Sequence, residues 1–442
     1  MTTTESLPHH ITVLNGSKYE AGTPHTPAAT EHYSHAIHHW DTTLQSISRA
    51  RAGDPDGARS DLEILLSTQD ETTGFIPNMT FLGKGRWWDP ERLLVFGPKA
   101  KSSDYSQPPI IAMAMIEIKK GFEKDGKSNE ADEFARKNYD AAAKAYRYFA
   151  NRQAEIDNGN LITLKDPHES GRDSDHVFDD HKWRLPYDKV PKQLDPAARR
   201  INGFMDYSGD LLLGFKRRIG IKQYGVKDVM FNCIYAENLH YMAKLAEQTD
   251  HPDDAFEFSE RAKLVEAEIL EEMWNPQDKK FYPTKDGLHI EKDSVGDLFP
   301  LILNSTEPDQ VASALQMIDS PEWYKTEWPL PSIPVHHANF DPDYKEPRIW
   351  RGPVWVNMNW YVTRGLQKQA ARFMDVYPDL ARECYRTAWE IAKKTKELTD
   401  KSGYREFYNP HTGEALRPKI RNFAWSTLSE IIHINEWETT TT

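Results

Sequence analysis

The sequence predicts an all-α protein, and two observations carry that expectation. Nine segments space their apolar residues by three and four along the chain, and strand signals are confined to one short stretch. In order, the helical segments cover residues 42–51, 58–68, 110–123, 132–150, 229–247, 255–273, a stretch opening at Thr306, 355–368 and 380–398. In the sixth, Phe258, Ala262, Val265, Ile269 and Met273 make one apolar face, Glu and Lys fill the other, and Asn275-Pro276 ends it. Cys384, Ala388, Ile391 and Ala392 repeat the pattern in the last, as do Tyr139, Ala142, Ala143, Tyr146 and Phe149 in the fourth. Thr306-Glu307-Pro308 opens a helix with proline in its first turn. The full set is about ten to twelve helices. The strand signal is Lys280-Phe281-Tyr282-Pro283 and Leu288-His289-Ile290, read as a hairpin around Asp286-Gly287.

The chain has 442 residues and a net charge of −13, which argues against nucleic acid or an anionic membrane as partner. Its 13 Trp and 19 Tyr suit a carbohydrate site, where flat rings stack on sugar faces, although core packing accounts for many of them. Cys233 and Cys384 lie far apart in helical segments, so no disulfide framework is expected and a reducing cytoplasm is. The N-terminus has neither a basic region nor an apolar run, so no signal peptide is expected, and no stretch has the ~20 apolar residues of a membrane span. Residues 1–25 read as a flexible arm, 26–438 as one domain, 178–205 as a lid-like excursion rich in Pro, Lys, Arg and Asp, and 439–442 as a disordered tail.

Two acidic loops stand out. His168-Glu169-Ser170-Gly171-Arg172-Asp173-Ser174-Asp175 holds three carboxylates among residues that favour turns, and Glu406 and Glu414 lie in a second loop far downstream. Hydrolysis of a glycosidic bond needs two carboxyl groups, one to protonate the leaving oxygen and one to activate water or attack. Surface loops and helix caps are the plainer alternative. His35, His38 and His39 cluster, as do His336 and His337, but no zinc word is present, so neither metal nor cofactor is expected. A helical-barrel sugar epimerase would use such His pairs for proton transfer and would not need Glu406. A sugar-binding protein without catalysis would not need both Asp173 and Glu406.

Six words occur in order: His39-Trp40-Asp41-Thr42, Ser106-Gln107-Pro108-Pro109, Glu169-Ser170-Gly171-Arg172-Asp173, the run from Trp350 through Arg351 and Trp355 to Trp360, Glu406-Phe407-Tyr408-Asn409-Pro410-His411-Thr412-Gly413, and Phe423-Ala424-Trp425-Ser426. Together they resemble the glycoside hydrolase family 63 pattern WDS, QPP, ESGxD, WRGPVWxNxNW, ExYxPxTG and FxWS, departing only at Thr42. The resemblance implies an (α/α)6 barrel of six helical hairpins with the site at one mouth. It implies inverting hydrolysis of an α-glycoside, read here as a small α-glucoside of the α-glucosidase type, with Asp173 as general acid and Glu406 as general base. Asp41, Gln107, Trp40, Trp355 and Trp425 are candidates for holding the sugar, as are Gly171 and Arg172 in the acid loop. Arg351 pairs with a catalytic carboxylate or substrate, or makes a structural salt bridge. Glu169 is expected to brace its loop through backbone N–H groups, and Glu414 to face solvent.

In length the chain is similar to the single-domain members that hydrolyse glucosylglycerate or mannosylglycerate. Those have an Asp-Tyr-Asp-Arg-Tyr run that holds the glycerate; here the stretch is Asp206-Tyr207-Ser208-Gly209-Asp210, keeping Tyr207 but lacking the Arg. Arg172 or Arg86 would replace that clamp, or the aglycone is neutral, as in glucosylglycerol or a disaccharide. An acidic barrel with a few exposed aromatics accommodates a monomer or a homo-oligomer.

Overall fold

A computed structural model describes residues 8–16, 26–29, 33, 36–81, 101–181, 225–345 and 348–432. The described residues form ten α-helices: α1 (His9–Gly16), α2 (His39–Arg51), α3 (Pro55–Leu66), α4 (Ile111–Lys124), α5 (Ser128–Ala154), α6 (Val229–Gln248), α7 (Pro252–Glu268), α8 (Pro308–Ile318), α9 (Val356–Phe373) and α10 (Pro378–Ser402). Two 3-10 segments, Val295–Ile302 and Ala424–Glu430, serve as helices in the same arrangement.

Burial separates the helices into two layers. α10 buries one face, which includes Ala381, Cys384, Ala388, Ile391, Thr395 and Leu398, and turns the opposite face outward, as an outer helix must. α2, α4, α6 and α9 are buried nearly all round, as inner helices are. In α2 this includes Thr43, Ser46 and Ser48; the first two satisfy their hydroxyls on the carbonyls of Trp40 and Thr42, at 2.8 and 2.7 Å. Following the inner contacts closes a ring: α2 packs on α4, α4 on α6, α6 on Val295–Ile302, that segment on α9, α9 on Ala424–Glu430, and this last on α2. α3, α5, α7, α8 and α10 lie outside. The protein is an (α/α)6 barrel.

Three details depart from sequence expectation. Within the N-terminal arm, α1 is a folded helix whose Ile11 and Leu14 bury against Ala424 and supply an outer partner for the sixth inner segment. The hairpin around Asp286-Gly287 pairs β6 (Thr284–Lys285) with β7 (Leu288–His289), because positive φ at both turn residues closes a two-residue loop. β5 (Lys280–Phe281) pairs instead with β4 (Trp274–Asn275), and α7 ends in a π-helical turn, Ile269–Met273, just before it. The remaining two-stranded pair is β1 (Ala36–His38) with β2 (Met79–Phe81), and β3 (Val226–Lys227) adds to β6. Most of the lid-like excursion, Tyr207, Arg86 and the 439–442 tail lie outside the described residues.

Candidate active site

The six sequence words converge where inner segments begin. Asp41 lies in the first turn of α2, Gln107 just before α4, Asp173 just after the 3-10 turn Pro167–Ser170, Trp350 to Trp355 before α9, and Glu406 before Ala424–Glu430. Helix N-termini favour negative charge, which suits a mouth lined with carboxylates.

One short segment connects the two acidic loops. Trp350 donates its backbone N–H to Ser174 Oγ at 3.1 Å, and Arg351 Nε donates to the Ser174 carbonyl at 2.6 Å. A few residues on, Val354 and Tyr408 exchange two backbone hydrogen bonds, at 2.8 and 3.0 Å. Residues 350–354 therefore fix Asp173, which precedes Ser174, relative to Glu406, two residues before Tyr408. Arg351 is fully buried, and its Nη2 donates to both carboxylate oxygens of Asp179 at 2.7 and 2.8 Å, a structural ion pair.

The two candidate carboxyls occupy different environments. The Asp173 side chain is 34% exposed, and its Oδ2 lies 3.9 Å from His168 Nε2. Asp166 in turn holds His168 Nδ1 at 2.7 Å, and the imidazole stacks on Tyr105. Glu406 is only 3% exposed. Tyr33 donates its hydroxyl to Glu406 Oε1 at 2.7 Å, and Arg417 Nη1 lies 3.2 Å from Oε2. Burial raises the Glu406 carboxyl above its ordinary value, Arg417 and Tyr33 oppose the rise, and the charge of Asp173 adds to it. Burial likewise pushes Asp41 up to about 8; its own backbone N–H opposes this and the Glu406 charge adds to it.

Trp40, Trp355 and Trp425 form one aromatic block. Trp425 stands edge-on to Trp40 (5.3 Å, 83°) and to Trp355 (5.6 Å, 65°). Trp355 stacks on Trp350 at 4.0 Å, lies against Phe407 at 4.8 Å, and donates its N–H to the Ile349 carbonyl. Trp40 and Trp355 are thus packed as core. The buried indole N–H of Trp425 has no partner among the described residues. Gly171 meets Trp40 as well: its φ is +75°, and a Cβ there would sit 2.7 Å from the indole Cζ2. Gln107 spends its carbonyl oxygen on the backbone N–H of Trp40 at 3.0 Å, capping α2, which leaves its NH2 as the group to offer a ligand.

Arg172 is not at the mouth. It is fully buried, bonded to Asp175, Ser294 and, at 2.6 Å, Asp228, and the clamp expected of it gives way to an internal ion cluster. Glu169 braces its loop as expected, accepting the backbone N–H groups of Lys165 (2.8 Å) and Ser106 (3.3 Å) and the Arg152 guanidinium (2.6 Å). Glu414 is exposed. His39 is buried and held neutral, pushed down to about 3 by burial; burial lowers His337 to about 4. Among the described residues no group of three or more His, Cys, Asp or Glu side chains is placed to hold a metal ion. Sequence patterning missed Tyr33 and Arg417, the neighbours of Glu406, since neither falls inside one of the six words; His168 opens the acidic loop, but patterning assigns it no role there.

Comparison with known proteins bears on the family and the fold. Residues 33–426 match the family model described as the mannosylglycerate hydrolase MGH1-like glycoside hydrolase domain. A mannosylglycerate hydrolase of Thermus thermophilus is 25% identical over 413 residues, 88% of this chain and 91% of that protein. One of Rubrobacter radiotolerans is 24% identical over 414 residues, 88% of each. The crystal structure of the family 63 mannosylglycerate hydrolase of Thermus thermophilus with Tris superposes with a TM-score of 0.75 at 24% identity, covering 96% of this chain and 98% of that one. The same enzyme with Tris and D-glycerate gives 0.74 at 23% identity, with the same coverage.

Proposed function

Because this chain belongs to the MGH1-like glycoside hydrolases of family 63, we propose that it is an inverting α-glycosidase acting on mannosylglycerate or its glucosyl counterpart. Asp173 is the general acid and Glu406 the general base. The observation that carries the reading is the pairing of these two carboxyls from distant loops, one open to solvent and one buried between a phenol and a guanidinium, tied together through residues 350–354. Asp173 hands its proton to the glycosidic oxygen as the bond to the anomeric carbon breaks. Glu406 takes a proton from the water that adds to the opposite face of the sugar. Exchange with solvent then returns a proton to Asp173 and removes one from Glu406. Asp41, the Gln107 amide and the Trp425 N–H offer polar groups to sugar hydroxyls.

The acidic aglycone is supported by the names of these two relatives, both mannosylglycerate hydrolases. Membership in a hydrolase family favours hydrolysis over the epimerase alternative. A neutral aglycone is the second reading, because the sequence lacks the arginine of the glycerate-holding run and Arg172 is engaged elsewhere. Among the described residues no helix is long and apolar enough to cross a membrane, and Cys233 and Cys384 are buried and free. We place the enzyme in the cytoplasm on the strength of those thiols.

The test is turnover of mannosylglycerate and glucosylglycerate by Asp173→Asn and Glu406→Gln. Each variant is expected to lose ~10²–10⁴-fold in kcat. Full turnover by either would remove that residue from the mechanism.

A further inference from the structure

Two carboxyls at the mouth, Asp41 and Glu406, are buried, and the charge of Glu406 pushes the proton affinity of Asp41 up, so both cannot be anionic at low cost. Their surroundings are unequal. Glu406 receives the Tyr33 hydroxyl on Oε1 and Arg417 Nη1 on Oε2, whereas no cation pairs with Asp41 among the described residues. Arg417 is itself held in place: Nη2 donates to Tyr344 Oη at 2.9 Å, and the guanidinium lies 5.5 Å from the ring centres of both Tyr344 and Phe407. A guanidinium stays charged at every pH at which a protein works. The other charged group facing Glu406 is Asp173, which pushes its proton affinity up.

We propose that Arg417 is a positioning residue that decides which of the two buried carboxyls carries the proton, keeping the negative charge on Glu406 and the proton on Asp41. This rests on the reading of Glu406 as general base, which works only as the anion. In an inverting site the base lies across the sugar from the leaving group, so Arg417 serves the water side and is not a substitute clamp for an acidic aglycone. Protonated Asp41 then meets the sugar as a hydroxyl-like donor as well as an acceptor.

The experiment is an infrared titration of the protonated-carboxyl band in the folded enzyme, which needs no substrate. In the wild type near neutral pH, Asp41→Asn is expected to remove a protonated-carboxyl component and Glu406→Gln none. In Arg417→Gln the Glu406 carboxyl is expected to titrate about one to three pH units higher, so a component that Glu406→Gln removes appears near neutral pH. Arg417→Lys, which keeps the charge, is expected to restore most of the wild-type behaviour. Tyr344→Phe, a milder change that loosens only the second tether, moves the titration the same way by less and serves if Arg417→Gln does not fold. In activity, the acid limb of the kcat/KM profile should move up with the titration; a merely structural arginine would lower turnover evenly across pH. An unchanged Glu406 titration in Arg417→Gln and Tyr344→Phe overturns the proposal. Retained turnover in Glu406→Gln would instead overturn the assignment of the base, whatever the infrared result.

Discussion

Replacing Gly171 by alanine isolates how the acid loop is seated. Gly171 ends the 3-10 turn Pro167–Ser170 with φ +75°, and its Cα lies against Trp40, where an added methyl would come within 2.7 to 3.0 Å of three indole atoms. Trp40 cannot yield easily, because it is 1% exposed and edge-on to Trp425. The left-handed backbone costs a non-glycine residue about 1–2 kcal/mol. Forcing a methyl into packed rings adds about 1–3 kcal/mol. Gly126 supplies the control, since it has the same φ of +75° and an added methyl there would meet nothing within 4 Å, so Gly126→Ala carries the first cost alone. Urea unfolding should therefore show Gly171→Ala less stable than Gly126→Ala by about 1–3 kcal/mol. Two residues from Gly171, Asp173 should shift with the loop, and a displacement of that kind lowers kcat by about 10²-fold. Equal stability of the two variants, with full turnover in Gly171→Ala, would refute the account of the loop.

Arg351→Lys keeps a charge but not the fork that grips Asp179 and Ser174 together, so kcat should fall by about 10-fold or more with KM little changed; steady-state kinetics showing wild-type kcat would contradict the spacing role of residues 350–354. Arg172→Met leaves Asp175 and Asp228 buried without their cation and should cost about 3–5 kcal/mol in urea unfolding, with a change under about 1 kcal/mol counting against the cluster's role in folding. Asp41 has its folded proton affinity raised to about 8 from an ordinary 3.8, so its contribution is fully present below about pH 4 and is lost as pH rises toward 8. Asp41→Asn should flatten the fall in stability between pH 5 and pH 8 by as much as about 1.4 kcal/mol per pH unit, and identical pH slopes for the two proteins would sink this.

The long helices were legible because a periodic apolar face is a local signal, and α10 and α7 show it plainly. The closed ring was not legible from periodicity. Two of its six inner members are 3-10 segments, one with Pro300 inside it, and they carry no helical repeat long enough to read. The two candidate carboxyls could be singled out because motif words preserve order over hundreds of residues. Arg172 misled because its neighbours in sequence line a mouth while its side chain turns inward to Asp228 and Ser294, contacts made 56 and 122 residues away. Tyr33 escaped for the same reason, its bond to Glu406 spanning 373 residues, whereas Arg417 lies only 11 residues beyond Glu406 but outside every motif word. Nor did spacing show that residues 350–354 touch both acidic loops, which only the fold brings together.

The most direct measurement is an NMR time course of the first sugar released from mannosylglycerate and glucosylglycerate. Water activated by Glu406 on the face opposite Asp173 must give the β-anomer first, before mutarotation. An initial α-anomer would mean that a carboxylate attacks the sugar and that Glu406 does not activate water, which contradicts the account at its centre.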